Sequence, residues 1–318
     1  MGIDRYPLVS IGMPVYNEGH FIAQSLDSLL AQDYDNFELI ISDNASSDET
    51  SAICERYAAR DVRIRYFRNH KNIGMIANFN RVFQLSHGDY FMWASGHDLW
   101  DKSFISTCLR ELLDDPRAVL CAGQFVVISE EGTPGPVRHA LNTSGMEPAE
   151  RLRCVIGEHG SCLSVYGLIR ADALRRTRVF NECYGSDWLL VAELSLLGEF
   201  RYAPHAIMYL RDTVRRKLGL TAEESAVRLL GPSSTKMNGR IFIYFPWLQF
   251  TLRMSNIIFR ADIPFTTKCR LAIGVFSRLK WKVVAELGVL FLPRPLRRFL
   301  RQTLTSRFPG MYETLRAR

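Results

Sequence analysis

This 318-residue chain lacks paired-cysteine spacing: none of Cys54, Cys108, Cys121, Cys154, Cys162, Cys183 and Cys269 forms a CxxC pair. Scattered thiols in apolar surroundings behave as small core residues, so the expectation is of free cysteines in a reducing, cytoplasmic setting. A zinc finger or ribonucleoprotein motif is also missing, which argues against nucleic acid as a partner. No repeat or low-complexity tract is visible, and at 47% hydrophobic and 23% charged residues the composition excludes disorder and coiled-coil arrays. Met1 to Arg5 lead directly into a predicted strand, so no secretory leader is expected. The apolar stretch Ile241 to Phe259 is broken by Pro246, Gln249, Arg253 and Asn256, which makes it a poor membrane-spanning helix.

Acidic residues are scarce at one end. From Arg240 onward there are 15 Lys/Arg and 3 Asp/Glu, so the net charge of +7 resides in the tail. Basic residues mixed with large apolar ones suggest an anionic membrane surface. Between Lys268 and Leu292, Phe276, Leu279, Val283, Leu287 and Leu290 recur at helical spacing, with Arg270, Arg278 and Lys282 toward the opposite face. Such a helix can lie in a bilayer interface or pack on the rest of the protein. Arg294, Arg297, Arg298 and Arg301 favour the first, giving peripheral contact with the inner face of a membrane.

The first half alternates short apolar runs with amphipathic stretches, the pattern of an α/β sheet with helices on both faces. Strands are predicted at Leu8 to Val15, Phe37 to Ser42, Ile64 to Phe67 and Tyr90 to Trp93. Helices fit between them: Ile22, Leu26, Leu29 and Leu30 form one stripe, Ile53 and Tyr57 part of a second, and Ile76, Phe79, Val82 and Phe83 a third. Further elements are expected as strand in Val119 to Ser129, a loop from Glu130 to Met146, a helix from Ala149, a strand from Leu163 to Ile169 and a helix from Asp187 to Leu197.

Four constellations fall where apolar runs stop. Pro14-Val15-Tyr16-Asn17-Glu18 and Asp43-Asn44-Ala45-Ser46-Ser47-Asp48 follow the first two strands. Strand-end loops of an open α/β sheet converge on one crevice, where a carboxylate such as Asp43 accepts the hydrogen bonds of a uridine-like nucleoside or simply forms a turn. Asn72-Ile73-Gly74 introduces a helix whose Asn78 and Arg81 share a face, lining that crevice or meeting solvent. In Gly96-His97-Asp98, Asp98 is the candidate ligand for Mg²⁺ or Mn²⁺, ions that neutralise a diphosphate leaving group. In Gly185-Ser186-Asp187, Asp187 caps a helix or removes a proton from an acceptor alcohol, with Glu182 and Glu193 as competing carboxylates. Arg211 and Arg215 either close over a diphosphate or form a solvated face.

In this order, Val9 to Glu18, Ile41 to Asp48, Asn72 to Asn80 and His97-Asp98 resemble the family 2 inverting glycosyltransferases of the GT-A fold, the nucleotide-diphospho-sugar transferase architecture, over about Tyr6 to Arg211. The resemblance implies a catalytic domain at residues 1–215 with a mixed, mostly parallel sheet, followed by a basic helical extension at 216–318. It implies that Pro14, Tyr16, Glu18, Asp43, Asn78 and His97 hold the donor, that Asp98 holds the metal, and that Asp187 is the base. It also implies a nucleoside-diphosphate sugar as donor, UDP-linked, and a saccharide or lipid-linked acceptor in surface polysaccharide or glycolipid synthesis. One departure is the single carboxylate of Gly96-His97-Asp98, where the family motif carries two or three acids; His97 would suit Mn²⁺ as a nitrogen ligand. Two rivals follow. A sugar nucleotidyltransferase would need a glycine-rich basic loop after strand one, where this chain has Pro14 to Glu18; a binding scaffold that has lost metal chemistry would account for the thinned triplet.

Overall fold

A computed structural model of the protein describes residues 6–157, 161–212 and 246–291. Among the described residues, nine strands form one mixed sheet: β1 Val9–Val15, β2 Phe37–Asp43, β3 Ile64–Arg68, β4 Tyr90–Trp93, β5 Leu99–Trp100, β6 Ala118–Ile128, β7 Pro134–His139, β8 Leu168–Arg170 and β9 Glu199–Arg211. The order is β3-β2-β1-β4-β8-β6-β9-β5, with β7 pairing to β6. The longer ladders, β1 with β2, β2 with β3 and β6 with β9, are parallel, while β8 runs antiparallel to both β4 and β6. The helices are α1 Ile22–Leu30, α2 Thr50–Ala58, α3 Met75–Gln84, α4 Phe104–Asp114, α5 Pro148–Gly157, α6 Ala171–Arg175, α7 Ser186–Leu197, α8 Pro246–Arg260 and α9 Phe265–Phe291.

Local chemistry accounts for the first half. All seven residues of β2 are buried, as are six of the seven in β1, as expected of parallel strands covered on both faces. In α1, Ile22, Leu26 and Leu29 are buried, so the predicted stripe is the face that meets the sheet. Phe91, Trp93, Phe83, Phe79 and Phe180 meet edge to face, which ties α3 to β4 and to the chain preceding α7.

Glu38 anchors the far end of the same strands. Its carboxylate accepts hydrogen bonds from Ser10 Oγ (2.7 Å), the His87 amide (2.7 Å) and Arg65 Nη1 (2.6 Å). Burial alone would raise its pKa, yet these donors outweigh burial and hold it below the ordinary carboxylate range. A depressed folded-state pKa adds stability above the unfolded value that is lost as pH falls through the folded one. Glu38→Gln is therefore expected to cost about 1–3 kcal/mol at pH 7. Denaturant titration should show the gap to the native protein closing below about pH 4.

Two predicted elements differ. The expected loop from Glu130 to Met146 contains β7, whose six residues are all exposed. Pro134 and Pro136 signalled a loop, but an outer strand spares the amides that proline lacks. The expected strand Leu163 to Ile169 is a 3-10 helix, Ser161–Tyr166, followed by the short β8.

The tail also departs from expectation. α8 buries Trp247, Phe250, Met254 and Ile258, and α9 buries Leu271, Val275, Leu279 and Val283. Leu279 and Val283 thus face protein, whereas Phe276 is exposed with Ile273, Trp281 and Val284. Arg278 and Lys282 lie toward the packed side, not opposite it, because Arg278 donates to the carbonyls of Ile156 and Gly157 and Lys282 sits on the Trp247 ring. No helix among the described residues is long and apolar enough to cross a membrane. The expected boundary after residue 215, Arg215, Ile241, Arg294, Arg297, Arg298, Arg301 and the side chains of Leu287 and Leu290 fall outside the described residues.

Candidate active site

The tips of β1, β2 and β4 lie side by side because all three strands run parallel, with Val15 opposite Asp43 and Gly12 opposite Trp93. The two loops after β1 and β2 are laced together. Ser46 Oγ accepts the Asn17 amide (3.0 Å), Asn17 Oδ1 the Ser47 amide (2.9 Å), Thr50 Oγ1 the Glu18 amide (2.8 Å) and Asp48 Oδ2 the Gly19 amide (3.0 Å). Asn17 and Ala45 take left-handed backbone (φ 55° and 62°) at the two turns. Tyr16 projects from this double loop, 44% exposed, while Pro14 beneath it is half-buried.

Asp43 and Asn78 are both buried. Asp43 is 0% exposed; its oxygens accept the Ser46 amide (2.8 Å) and the Tyr66 hydroxyl (2.9 Å), and Arg68 Nε lies 3.6 Å away. Asn78, 2% exposed, is turned into the sheet, where Nδ2 donates to the Ser42 carbonyl (2.8 Å) and Oδ1 accepts from Ser42 Oγ (2.7 Å) and Asn69 Nδ2 (3.0 Å). Asn69 and Asn72 extend the network through Asn44 to the amides of Ile73 and Gly74. Both side chains shape loops from behind; neither offers an open face. The cause is that a polar group at a buried strand end must spend its hydrogen bonds on neighbouring backbone. Arg81 Nε is buried without a hydrogen-bond partner among the described residues.

The loop after β4 brings His97 and Asp98 against the first loop. A side chain at Gly96 would sit 3.0 Å from Glu18 Cβ and 3.2 Å from Val15 Cγ1, so glycine permits this approach. His97 Nδ1 lies 3.1 Å from Glu18 Oε1, and His97 Nε2 lies 4.0 Å from Asp98 Oδ1. Asp98 is 3% exposed and accepts the Arg211 amide at 2.8 Å. Arg211, weighed as a diphosphate clamp, is committed to the fold. Its guanidinium donates to the His97 carbonyl (3.0 Å), to Gln24 Oε1 (2.9 Å) and to the Glu130 carbonyl, and stacks 4.4 Å from the Phe21 ring. Burial lowers its pKa, the cost of using a cation as a brace.

Asp187 opens α7 behind Gly185, whose left-handed backbone (φ 66°) and missing side chain let Phe250 of α8 pack 2.9 Å from the Cβ position. Burial pushes the Asp187 carboxyl above its ordinary value, against the partial relief of the Trp188 amide (2.9 Å) and Cys162. Its charge is felt by Tyr166, whose phenol burial raises, followed by the negative charges of Asp98 and Asp187, with Ser95 as a hydrogen-bond partner. Burial and then Asp187 lift the Cys162 thiol to about 11. Tyr166, carried by the 3-10 helix Ser161–Tyr166, is therefore near enough to Asp98 and Asp187 for its phenol to respond to both charges. Of the competitors, Glu182 is exposed and Glu193 is tied to the Arg178 amide at 2.8 Å.

No group of three His, Cys, Asp or Glu side chains converges as a metal cage among the described residues. Asp98 beside His97 nonetheless suits a hard cation that keeps waters and takes further oxygens from a phosphate. Laced loops at parallel strand tips and a buried carboxylate in the loop after the third form the ligand crevice of an open α/β sheet, in a GT-A architecture.

The chain belongs to glycosyl transferase family 2, whose sequence model matches residues 10–183. Among curated relatives, the chondroitin synthase of Escherichia coli is 24% identical over 250 residues, 77% of this chain and 35% of that protein. The chain thus spans about a third of that relative's length. Among solved structures, TarS 1-349 of S. aureus in complex with UDP-GlcNAc aligns with a TM-score of 0.60 at 14% identity, covering 97% of this chain and 81% of that one. The mannosyltransferase PcManGT of Pyrobaculum calidifontis, in complex with GDP-Man and Mn²⁺, aligns with a TM-score of 0.50 at 14% identity, covering 99% of this chain and 86% of that one.

Proposed function

We propose that the protein transfers a sugar, with inversion, from a UDP-sugar to an acceptor hydroxyl in the synthesis of a surface polysaccharide or glycolipid. The carrying observation is that Asp98, in the loop after β4, and Asp187, at the start of α7, both act on the Tyr166 phenol, and that burial raises the Asp187 pKa. As the acceptor oxygen bonds to the sugar's anomeric carbon, the bond from that carbon to the diphosphate breaks and its electron pair leaves with the nucleotide. The acceptor proton passes to Asp187, whose raised basicity suits the task. Tyr16 and Glu18 face the nucleoside, Pro14 sets their loop, and Asp43 and Asn78 hold the loops in register. Asp98, with His97 beside it, would hold Mn²⁺ or Mg²⁺, which supplies charge neutralisation for the departing diphosphate. Chondroitin synthase as a relative and UDP-GlcNAc in a similar fold support the substrate class. Release of nucleoside diphosphate from UDP-, GDP- and dTDP-sugars tests it. UDP release is the expected result; none from any donor, with no UDP binding by calorimetry, would return the scaffold reading.

The site works at the inner face of a membrane, in peripheral contact through α9. Its exposed Ile273, Phe276, Trp281 (70% exposed) and Val284 stand beside exposed Arg270 and Lys280, an apolar and basic face suited to anionic lipid. Co-sedimentation with phosphatidylglycerol vesicles should exceed that with phosphatidylcholine, and Phe276→Ser with Trp281→Ser should weaken it at least about tenfold. Equal sedimentation of the native and doubly substituted proteins would refute this contact.

A further inference from the structure

A pocket of about 330 Å³ lies where α5, α7, α8 and α9 meet, walled by Trp188, Phe250, Met254 and Leu279 and edged by Arg278 and Lys282. This is the lower end of the size range of small-molecule sites. Most of its lining lies beyond residue 183, where the family match ends, and Ile156 and Gly157 of α5 complete it. The pocket therefore forms where the C-terminal helices dock on α5 and α7.

Its charge is unbalanced. Arg278 Nη1 donates to the carbonyls of Ile156 (3.0 Å) and Gly157 (2.9 Å), and no carboxylate pairs with it among the described residues. Lys282 Nζ sits 3.7 Å from the Trp247 ring centroid, and burial lowers its pKa. It too has no acidic partner among the described residues. Residues 278 and 282 are four apart on one helix, so both side chains lie on the same face of α9 at the pocket's edge. Arg278 is exposed at the rim, whereas Lys282 is half-buried, and holding that cation in apolar surroundings without an anion is unfavourable, a penalty a bound anion would offset.

We infer that this pocket takes the phosphate-bearing end of an aliphatic chain, the lipid carrier of a lipid-linked acceptor. Several phosphate oxygens can bridge both cations, while the first carbons of the chain occupy the apolar walls. Trp188, which forms a wall, follows Asp187 on α7, so the pocket lies against the helix that carries the proposed base. The assignment rests on the transferase reading above and names the acceptor for the same site.

Calorimetry of the full chain with decyl phosphate, decanoate, decanol and inorganic phosphate, each below its aggregation threshold, tests the pocket directly. Decyl phosphate is expected to bind at least about tenfold tighter than each of the other three. Lys282→Gln should remove that advantage and leave decanol unchanged, and Lys282→Arg should restore it, with thermal unfolding midpoints confirming that both variants fold. Inorganic phosphate or decanol binding as tightly as decyl phosphate would overturn the assignment, as would decanoate, or an unaltered Lys282→Gln. UDP release by the native protein without any acceptor is read separately. Its failure would sink the transferase reading while leaving the binding result intact.

Discussion

Asp187→Asn is expected to lower turnover by about 10²- to 10⁴-fold, the contribution of a positioned general base, and to leave UDP affinity unchanged. The substitution keeps the size of the side chain and an oxygen for the Trp188 amide (2.9 Å), but it cannot take a proton. The pH profile provides the sharper check. Burial raises the Asp187 pKa, so native turnover should fall tenfold per pH unit on the acid side of a value above the ordinary carboxylate, and the residual rate of the variant should lack that limb. Stability runs the other way. A carboxyl whose folded pKa is raised adds stability that is present below the unfolded value and lost as pH rises through the folded one. Asp187→Asn is therefore expected to be at least as stable as the native protein at pH 7 by denaturant titration. A slow enzyme that is also unstable would point to structural damage, and near-native turnover would remove Asp187 from the mechanism.

Asp98→Asn is expected to cost about 10²- to 10³-fold in turnover, the range for removing one element of electrostatic stabilisation of a developing charge. Asparagine can still accept the Arg211 amide through its oxygen, so the brace from β9 to the His97 loop persists. What is lost is the negative charge. Calorimetry with UDP should show Mn²⁺ tightening binding to the native protein and having little effect on Asp98→Asn. Binding of UDP that is indifferent to Mn²⁺ in both proteins would end the metal role of Asp98 while leaving the base untouched. Arg211→Lys discriminates structure from chemistry here, because a lysine cannot reach the His97 and Glu130 carbonyls and Gln24 together.

The first four strands and the three helices between them were legible because each buried face follows from local chemistry: continuous apolar runs for β1 and β2, a helical stripe for α1. The site was legible only to the level of loops. Pro14 to Glu18, Asp43 to Asp48 and His97-Asp98 mark strand ends, and strand ends of a parallel sheet share one edge. Which way each side chain turns was not legible. Asp43 and Asn78 have the residue types of ligand-binding groups, yet Asp43 is held by the Ser46 amide and the Tyr66 hydroxyl and Asn78 by the Ser42 carbonyl. Tyr166 escaped notice because a 3-10 turn and a short strand of the same composition cannot be told apart locally.

On its own, then, the order of residues determined the sheet's first half, the strand-tip location of the loops and the membership of a transferase family, since all three depend on periodicity and on motifs contiguous in the chain. Tertiary structure alone decided that Arg211 braces Asp98, that Tyr166 feels the charges of both Asp98 and Asp187, and that Arg278 and Lys282 edge a pocket beside Trp188. Those outcomes turn on contacts between segments tens to more than a hundred residues apart, whose geometry is set by packing and by the need to satisfy buried polar groups.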